Sequence, residues 1–254
     1  MIEAKKLAYA DLLRYVGDQR FAQVPVAGLC SKAFAASRAK SIESARAVAV
    51  AAHGVPPGAD HGTTYLAVAD QAGNMVSLIQ SNFAAIGFGS ALAVGGAGFV
   101  LQNRGGLFSL DARQPNGLAG RKRSLHTIIP GFMYNADTRI AFGVMGGWNQ
   151  AQAHAQFVSN IVDFGMNIQG ALDAPRFSKD TFEGRDVNLE ARIPEEVRRE
   201  LRSMGHELIA RRDFSSVRMG AGQAVAYDKK RDMLFGASDP RKDGAAVGAL
   251  LPWS

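Results

Sequence analysis

The sequence GVPPGADHGTTYLAVAD, residues 54–70, joins a loop to a strand. Its first nine residues are rich in glycine and proline, which favour turns. From Thr63 onward the side chains alternate between two faces, with the period of a β-strand. A threonine here is an ordinary strand start, but cleavage before it would free an α-amine that can act as general base for its own hydroxyl. The junction therefore makes Thr63 the leading candidate nucleophile and the Gly62–Thr63 bond the candidate cleavage site.

A second strand follows directly after a short turn. The turn at residues 72–74 leads into an alternating run over residues 75–81, so the two runs form a β-hairpin with Thr63 at its open end. In that hairpin Ser81 lies beside Thr63 on the neighbouring strand. Further strands are predicted at residues 97–102, 139–144, 223–227 and 233–237. Helices are predicted at residues 3–16, 33–51, 149–164 and 194–204, the third with Ala151, Phe157, Val158, Ile161 and Val162 turned inward.

The composition of the chain mainly excludes certain classes of function. The 254 residues are 47% hydrophobic and 20% charged, as in an ordinary globular protein. The formal charge is +6, but the basic residues are scattered, which argues against a nucleic-acid surface. No run approaches the roughly 18 apolar residues of a membrane span, so no membrane partner is expected. The single Cys30 excludes an intramolecular disulfide and tilts the expected location slightly to the cytoplasm, with the periplasm left open if a signal precedes this chain.

Neither a metal site nor a nucleotide site is predicted. The five histidines are spread along the chain without the spacing of metal ligands. The glycine-rich residues 95–98 lead into an apolar run instead of the Lys-Ser/Thr pair that opens a helix in a phosphate-binding loop. No cofactor is therefore expected.

Nine short motifs, in order along the chain, give it a resemblance to a known family. They occupy residues 63–65, 70–74, 77–82, 87–90, 101–105, 122–127, 145–147, 173–177 and 236–241. Together they resemble the small subunit of the gamma-glutamyltranspeptidase family, N-terminal nucleophile hydrolases whose precursors cut themselves before a threonine. Residues 18–34 resemble the end of that family's large subunit. The resemblance implies a large-subunit part at residues 1–62, a small subunit at residues 63–254, and the αββα four-layer sandwich of a mixed α/β (α+β) fold, incomplete in this chain.

The resemblance also implies roles for four residues. Thr63 would supply the nucleophilic Oγ, and Ser81 would hydrogen-bond to it and orient it. Gly146 and Gly147 would stabilise the tetrahedral oxyanion through their backbone N–H groups, which glycine allows because no side chain blocks the approach. Without the family match, a plain strand-to-helix turn would explain these two glycines equally well.

The substrate-binding positions depart from the best-known members of the family. Leu107 stands where those members use an acidic residue to hold the substrate's α-ammonium, and His126-Thr127 replaces a serine pair that holds its α-carboxylate. Arg104 replaces a neutral amide and adds positive charge. These changes resemble the branch that includes cephalosporin acylases. Arg104, His126 and Thr127 are therefore predicted to bind a carboxylate on the acyl group.

The prediction is a self-processing gamma-glutamyl hydrolase or transpeptidase-like enzyme that cleaves gamma-glutamyl or similar acyl amides through an acyl-Thr63 ester. Water is the expected acceptor, because the altered ammonium site disfavours capture of an amino acid. Two alternatives stay open, a cephalosporin-type side-chain amide acylase and a truncated chain without catalysis. The expected partners are the small-molecule amide and the large and small subunits produced by cleavage, with a homo-oligomer left open.

Overall fold

The computed structural model describes residues 1–49, 61–84, 90, 92–182, 184–215 and 218–248. Residues 54–60 of the predicted processing loop and residues 87–89 of one family motif lie outside these ranges. Within them, no helix combines the length and the apolar character needed to cross a membrane.

The described chain alternates between helical and extended segments. Its α-helices are α1 (Ile2–Tyr15), α2 (Val26–Leu29), α3 (Lys32–Ala39), α4 (Asn149–Val162), α5 (Ile168–Asp173) and α6 (Glu195–Ser203), with a 3₁₀-helix at Arg104–Leu107. Its strands are β1 (His61–Ala69), β2 (Met75–Ala84), β3 (Gly131–Tyr134), β4 (Thr138–Val144), β5 (Phe177–Ser178), β6 (Asp186–Glu190), β7 (Glu207–Arg211), β8 (Gly222–Asp228) and β9 (Met233–Ser238).

The main core lies between a four-stranded sheet and two helices. The sheet is antiparallel, in the order β3-β4-β8-β9, and β4 is buried at each of its last five residues. On one face α4 and α5 contribute Phe157, Ile168 and Leu172 to a cluster with Ile140 and Phe142. Burying an apolar side chain of this size is worth about 1.5–3 kcal/mol. This core fixes the position of β4, which leads towards the predicted glycine pair.

The predicted hairpin of β1 and β2 packs on the other face of this sheet. Tyr65 lies against Gly143, where a β-carbon would overlap its ring. At the turn of the hairpin, Arg139 Nη1 donates a hydrogen bond to Gly73 O at 3.4 Å. β1 therefore runs antiparallel to β4, and Thr63 lies towards the end of the sheet at which β4 finishes.

The outer face of the hairpin is apolar and largely exposed. Leu66, Val68, Val76 and Leu78 are between 41% and 54% exposed. Helices, four-stranded sheet and hairpin thus form three successive layers in the described part of the chain, with an apolar surface at the outermost one.

A second sheet is tied to β9 by buried charges. β5, β6 and β7 form this sheet, in which β6 and β7 are parallel. Arg176, Glu190, Asp239 and Arg241 form a buried ion cluster. Arg176 Nη2 lies 2.6 Å from Asp239 Oδ2, while Arg241 lies 2.7 Å from a Glu190 oxygen and 3.0 Å from Asp239 Oδ1. The cluster links the residues after β9 to the end of β6.

The helix predicted at residues 33–51 is wrong beyond Ala39. The observed α3 ends at Ala39, and residues 40–49 are not helical. Instead, Ala47 N–H donates to Met204 O at 2.6 Å and Val48 N–H donates to Glu3 Oε2 at 3.4 Å, so this segment bonds to distant parts of the chain. A tertiary contact therefore overrides the helical preference of an alanine-rich segment. Residues 50 and 51 lie outside the described ranges.

The strand predicted at residues 97–102 is also wrong. The segment folds back on its own neighbours, because Val94 N–H donates to Phe99 O and Leu101 N–H donates to Leu92 O, both at 2.9 Å. These backbone groups are paired with neighbouring residues of the same segment, so the segment joins none of the three sheets.

The third predicted helix is essentially right, but two of the residues predicted to face inward do not. Phe157, Val158 and Ile161 pack on the core as predicted. Ala151 and Val162 are exposed. At about 100° per residue, these two lie roughly 120° and 140° around the helix from Phe157, which turns them away from the sheet.

Candidate active site

The candidate nucleophile and its predicted partner meet at the open end of the hairpin. Thr63 pairs with Ser81 across the two strands, and the two hydroxyl oxygens, Thr63 Oγ1 and Ser81 Oγ, are hydrogen-bonded at 2.8 Å. Thr63 is only 5% exposed and shares the inward face of β1 with Tyr65. The period-two alternation that buries Tyr65 therefore also turns the Thr63 hydroxyl towards the four-stranded sheet.

The strand pairing is irregular at the candidate cleavage site. Gly62 pairs with Phe83 but Thr63 pairs with Ser81, so Asn82 is an extra residue on β2. Such bulges re-aim side chains and are frequent beside active sites. Phe83 adopts a φ of +76°, in the left-handed region that aromatic residues rarely enter. Within the bulge, the Phe83 N–H donates a hydrogen bond to Ser81 Oγ at 3.0 Å.

Arg104 and Thr127 complete a hydrogen-bonded chain with Ser81. Arg104 donates from Nη2 to Ser81 Oγ and from Nη1 to Ser81 O, both at 3.0 Å. It also donates from Nε and Nη2 to Thr127 Oγ1 at 3.3 and 3.2 Å. The Phe83 ring lies 4.9 Å from the guanidinium, within the range of a cation–π contact. These contacts hold Arg104 against the Thr63–Ser81 pair.

Arg104 carries a buried positive charge without an ionic partner in the described part of the chain. Its side chain is 1% exposed, and burial lowers the pKa of its guanidinium, with no neighbouring charge contributing to that shift. Arginine nevertheless stays protonated near neutral pH. A buried cation of this kind normally has an anionic or strongly polar partner. Here the polar partners are Ser81 and Thr127.

Gly146 and Gly147 form the connection between β4 and α4. Their φ angles are +134° and +56°, which favour glycine. Within the described residues neither backbone N–H donates a hydrogen bond, while Asn149 N–H and Gln150 N–H donate back to the carbonyls of this pair. Two adjacent unpaired N–H groups at the N-terminus of a 14-residue helix suit a negatively charged oxygen. The fold brings this turn to the end of the sheet that also carries Thr63.

The glycine turn is held from outside by the first helix. Tyr9, on α1, donates a hydrogen bond from its hydroxyl to the carbonyl of Trp148, the residue after the glycine pair. The rings of Tyr9 and Trp148 meet edge to face at 6.0 Å, and both pack on Phe182. Burial raises the pKa of Tyr9. Its hydroxyl therefore stays protonated and remains a donor to this turn.

His154 supports the same turn from inside. Val144 N–H, at the end of β4, donates to His154 Nε2 at 2.9 Å. Burial lowers the pKa of His154 to about 4, with a further lowering by the charge of Arg176. His154 is therefore neutral at neutral pH, and its Nε2 accepts a structural hydrogen bond.

Sequence reasoning missed Asn149, in the first turn of α4. The residue is 3% exposed, and neither polar atom of its side chain has a hydrogen-bond partner among the described residues. Its Nδ2 would lie 3.4 Å from a β-carbon on Gly146, so the amide borders the glycine turn. Its position at the start of the helix that follows the glycine pair was the signal that could have identified it.

The structure joins four of the predicted site residues directly, and of the predicted substrate-binding residues it leaves His126 apart. Thr63, Ser81, Arg104 and Thr127 form one hydrogen-bonded chain. His126 is exposed, and its Nδ1 faces Ser124 O at 2.8 Å instead of joining that chain. No group of three or more candidate metal ligands occurs in the ranges that the structure covers.

Comparisons with known proteins identify the family of this chain. The family model described as gamma-glutamyltranspeptidase matches residues 1–249. The glutathione hydrolase-like YwrD proenzyme of Bacillus subtilis (strain 168) is 35% identical over 254 residues, covering 98% of this chain and 46% of that protein. The oxamate amidohydrolase proenzyme of Klebsiella pneumoniae is 33% identical over 255 residues, with the same two coverages. The chain thus spans about half the length of the curated relatives it matches.

A solved structure extends the likeness to the fold. The cephalosporin acylase from Bacillus halodurans superposes with a TM-score of 0.83 at 41% identity, covering 98% of this chain and 44% of that one. The match confirms the predicted mixed α/β fold class and the predicted resemblance to this family and its acylase branch. The family model, the relatives and the shared fold show that the chain belongs to the gamma-glutamyltranspeptidase family.

Proposed function

We propose that this chain carries the nucleophile of a self-processing amidohydrolase, with Thr63 as the N-terminal residue of the processed enzyme. The observation that carries the proposal is the 2.8 Å hydrogen bond between Thr63 Oγ1 and Ser81 Oγ at a bulged strand start. Two hydroxyls at this distance, at the same end of the sheet as a turn with unpaired N–H groups, give a nucleophile, a partner that orients it and donors for an oxyanion.

Processing is the first of two acyl transfers by the same hydroxyl. Thr63 Oγ attacks the Gly62 carbonyl carbon, the Gly62–Thr63 C–N bond breaks, and the leaving nitrogen takes up a proton to become the α-amine of Thr63. Water then hydrolyses the ester and releases Gly62 as a carboxylate. Residues 1–62 and 63–254 become parts of two subunits, in keeping with the proenzyme names of the relatives.

Substrate cleavage repeats this chemistry with the free amine as base. The α-amine takes the Thr63 hydroxyl proton as Oγ bonds to the acyl carbon, and that proton passes to the leaving nitrogen as the C–N bond breaks. The N–H groups of Gly146 and Gly147 stabilise the negative oxygen of the tetrahedral intermediate. Loss of a donor of this kind typically costs about 10²–10³ in kcat.

The substrate we propose is a gamma-glutamyl or similar carboxylate-bearing acyl amide, with water as acceptor. A glutathione hydrolase-like proenzyme among the relatives supports the gamma-glutamyl group. Leu107 is apolar and half-buried, so it offers no partner for a substrate ammonium. Water therefore remains the preferred acceptor.

A second candidate is a side-chain amide acylase that acts on acyl groups without an α-amine. Leu107 favours it, and so does the 41% identity to a cephalosporin acylase. Turnover of glutaryl p-nitroanilide against gamma-glutamyl p-nitroanilide by the full gene product separates the two candidates. Faster turnover of the glutaryl compound would favour the acylase, because the two acyl groups differ only in the α-ammonium.

Processing is tested by intact mass and N-terminal sequencing of the full gene product. We expect the wild type to yield two pieces, one beginning at Thr63, and Thr63→Ala to stay in one piece. Thr64→Ala is the matched control, since Thr64 is exposed on the opposite face of β1 and should process normally. An uncut wild type without turnover would support the reading of a chain without catalysis.

A further inference from the structure

Ser81 Oγ is surrounded by three groups that the structure presents as donors. Thr63 Oγ1 lies at 2.8 Å, Phe83 N at 3.0 Å and Arg104 Nη2 at 3.0 Å. A hydroxyl oxygen has two lone pairs and one proton of its own. It can accept two hydrogen bonds and donate one, so three donors exceed its capacity.

Of these three hydrogen bonds, only the one with Thr63 can have Ser81 as its donor. The backbone N–H of Phe83 and the guanidinium N–H of Arg104 have no lone pair available to accept, so both remain donors. They occupy the two lone pairs of Ser81 Oγ. The Ser81 proton must then point to the remaining neighbour, Thr63 Oγ1.

We propose that Arg104 is a positioning residue that, together with the Phe83 N–H, fixes Ser81 as a hydrogen-bond donor to the Thr63 nucleophile. The inference rests on the proposed function and deepens it. With Ser81 donating, the Thr63 hydroxyl proton is left free to move to the α-amine. The Ser81 donor bond also strengthens as negative charge develops on Thr63 Oγ during attack.

The hydrogen-bond inventory of Arg104 fits this role better than the predicted carboxylate clamp. A guanidinium has five N–H groups. Four of them are directed at Ser81 O, Ser81 Oγ and Thr127 Oγ1, the last accepting two. The side chain is also 1% exposed. A bidentate substrate carboxylate would have to break these bonds.

Self-cleavage distinguishes the two roles, because it uses the Thr63 hydroxyl but no external substrate. A positioning residue affects cleavage of Gly62–Thr63 and turnover alike. A clamp for a substrate carboxylate affects the KM of the amide and leaves self-cleavage unchanged. The comparison uses Arg104→Met, which keeps a long apolar stem, and Arg104→Gln, which keeps an N–H donor without the charge.

The experiment follows self-cleavage of the full precursor over time after cell-free synthesis, then measures kcat and KM on a gamma-glutamyl or glutaryl p-nitroanilide. For Arg104→Met we expect self-cleavage and kcat to fall by about 10- to 100-fold, the range for loss of a charged donor, with KM nearly unchanged. Arg104→Gln should recover part of the loss. Arg113→Gln, at an exposed surface pair, is the control and should process normally.

A double-mutant cycle tests that Arg104 acts through Ser81. In a Ser81→Ala background, Arg104→Met should cause no further loss, because the hydroxyl that it fixes is gone. A loss of equal size in that background would overturn the inference and would indicate a general structural role. An Arg104→Met precursor that cleaves at the wild-type rate would overturn it while leaving the proposed function intact. A wild type that neither cleaves nor turns over substrate would overturn both.

Discussion

Acidification should destabilise this protein through one buried histidine, His154. Its Nε2 accepts a hydrogen bond from Val144 N–H, and burial, followed by the charge of Arg176, lowers its pKa from 6.5 to about 4. Well above pH 6.5 the ring is neutral in both folded and unfolded chains, so it contributes its full stabilisation to the folded state. Between pH 6.5 and about 4 only the unfolded chain takes up the proton, which favours unfolding.

The size of the effect follows from this window. One pH unit in which only the unfolded state binds a proton changes the free energy of unfolding by about 1.4 kcal/mol. The window from 6.5 to about 4 therefore amounts to roughly 3 kcal/mol, a large part of the 5–15 kcal/mol that stabilises a typical domain. Protonation would also turn Nε2 from an acceptor into a donor facing Val144 N–H. The end of β4, and with it the glycine turn, would be released.

The assay is urea unfolding of the full gene product at several pH values between 4 and 8, followed by tryptophan fluorescence. His154→Gln supplies a neutral side chain that cannot take up the proton. We expect the wild type to lose about 3 kcal/mol more than this variant as the pH falls. His126→Gln, a change at an exposed histidine, should follow the wild type. Parallel pH dependence of wild type and His154→Gln would refute the reasoning.

Two further predictions concern buried charge and close packing. Asp239→Asn removes a carboxylate from the buried ion cluster and leaves its two arginines short of negative charge, so we expect a loss of about 3–5 kcal/mol in urea unfolding. Asp137→Asn, at an exposed ion pair, should cost less than about 1 kcal/mol, and equal losses would contradict the prediction. Gly143→Ala places a methyl group into the Tyr65 ring and should cost about 1–3 kcal/mol. The control Gly95→Ala meets open space, so a Gly143→Ala variant no less stable than this control would refute the packing argument.

The sequence alone determined the hairpin and the pairing of its two hydroxyl residues. Alternation with period two fixes which side chains share a face, and the short turn fixes the register, so these two local signals suffice to set Thr63 and Ser81 opposite each other. The helix opened by Pro194 and closed before Gly205 was predictable for the same reason, since local signals mark both ends. The family motifs added the prediction that the glycine pair and Arg104 also belong to the site.

The tertiary structure alone decided what Arg104 contacts and which bonds hold the site. The buried ion cluster and the hydrogen bond from Tyr9 to Trp148 join residues that are far apart in the chain. The conformation of Phe83 depends on one unusual torsion angle. Periodicity carries no information about such contacts, because it describes the order of side chains along one element. Arg104 could be predicted to lie in the site as a positive charge. Only the packing of the 3₁₀-helix against β2 turned that charge onto Ser81 and buried it there.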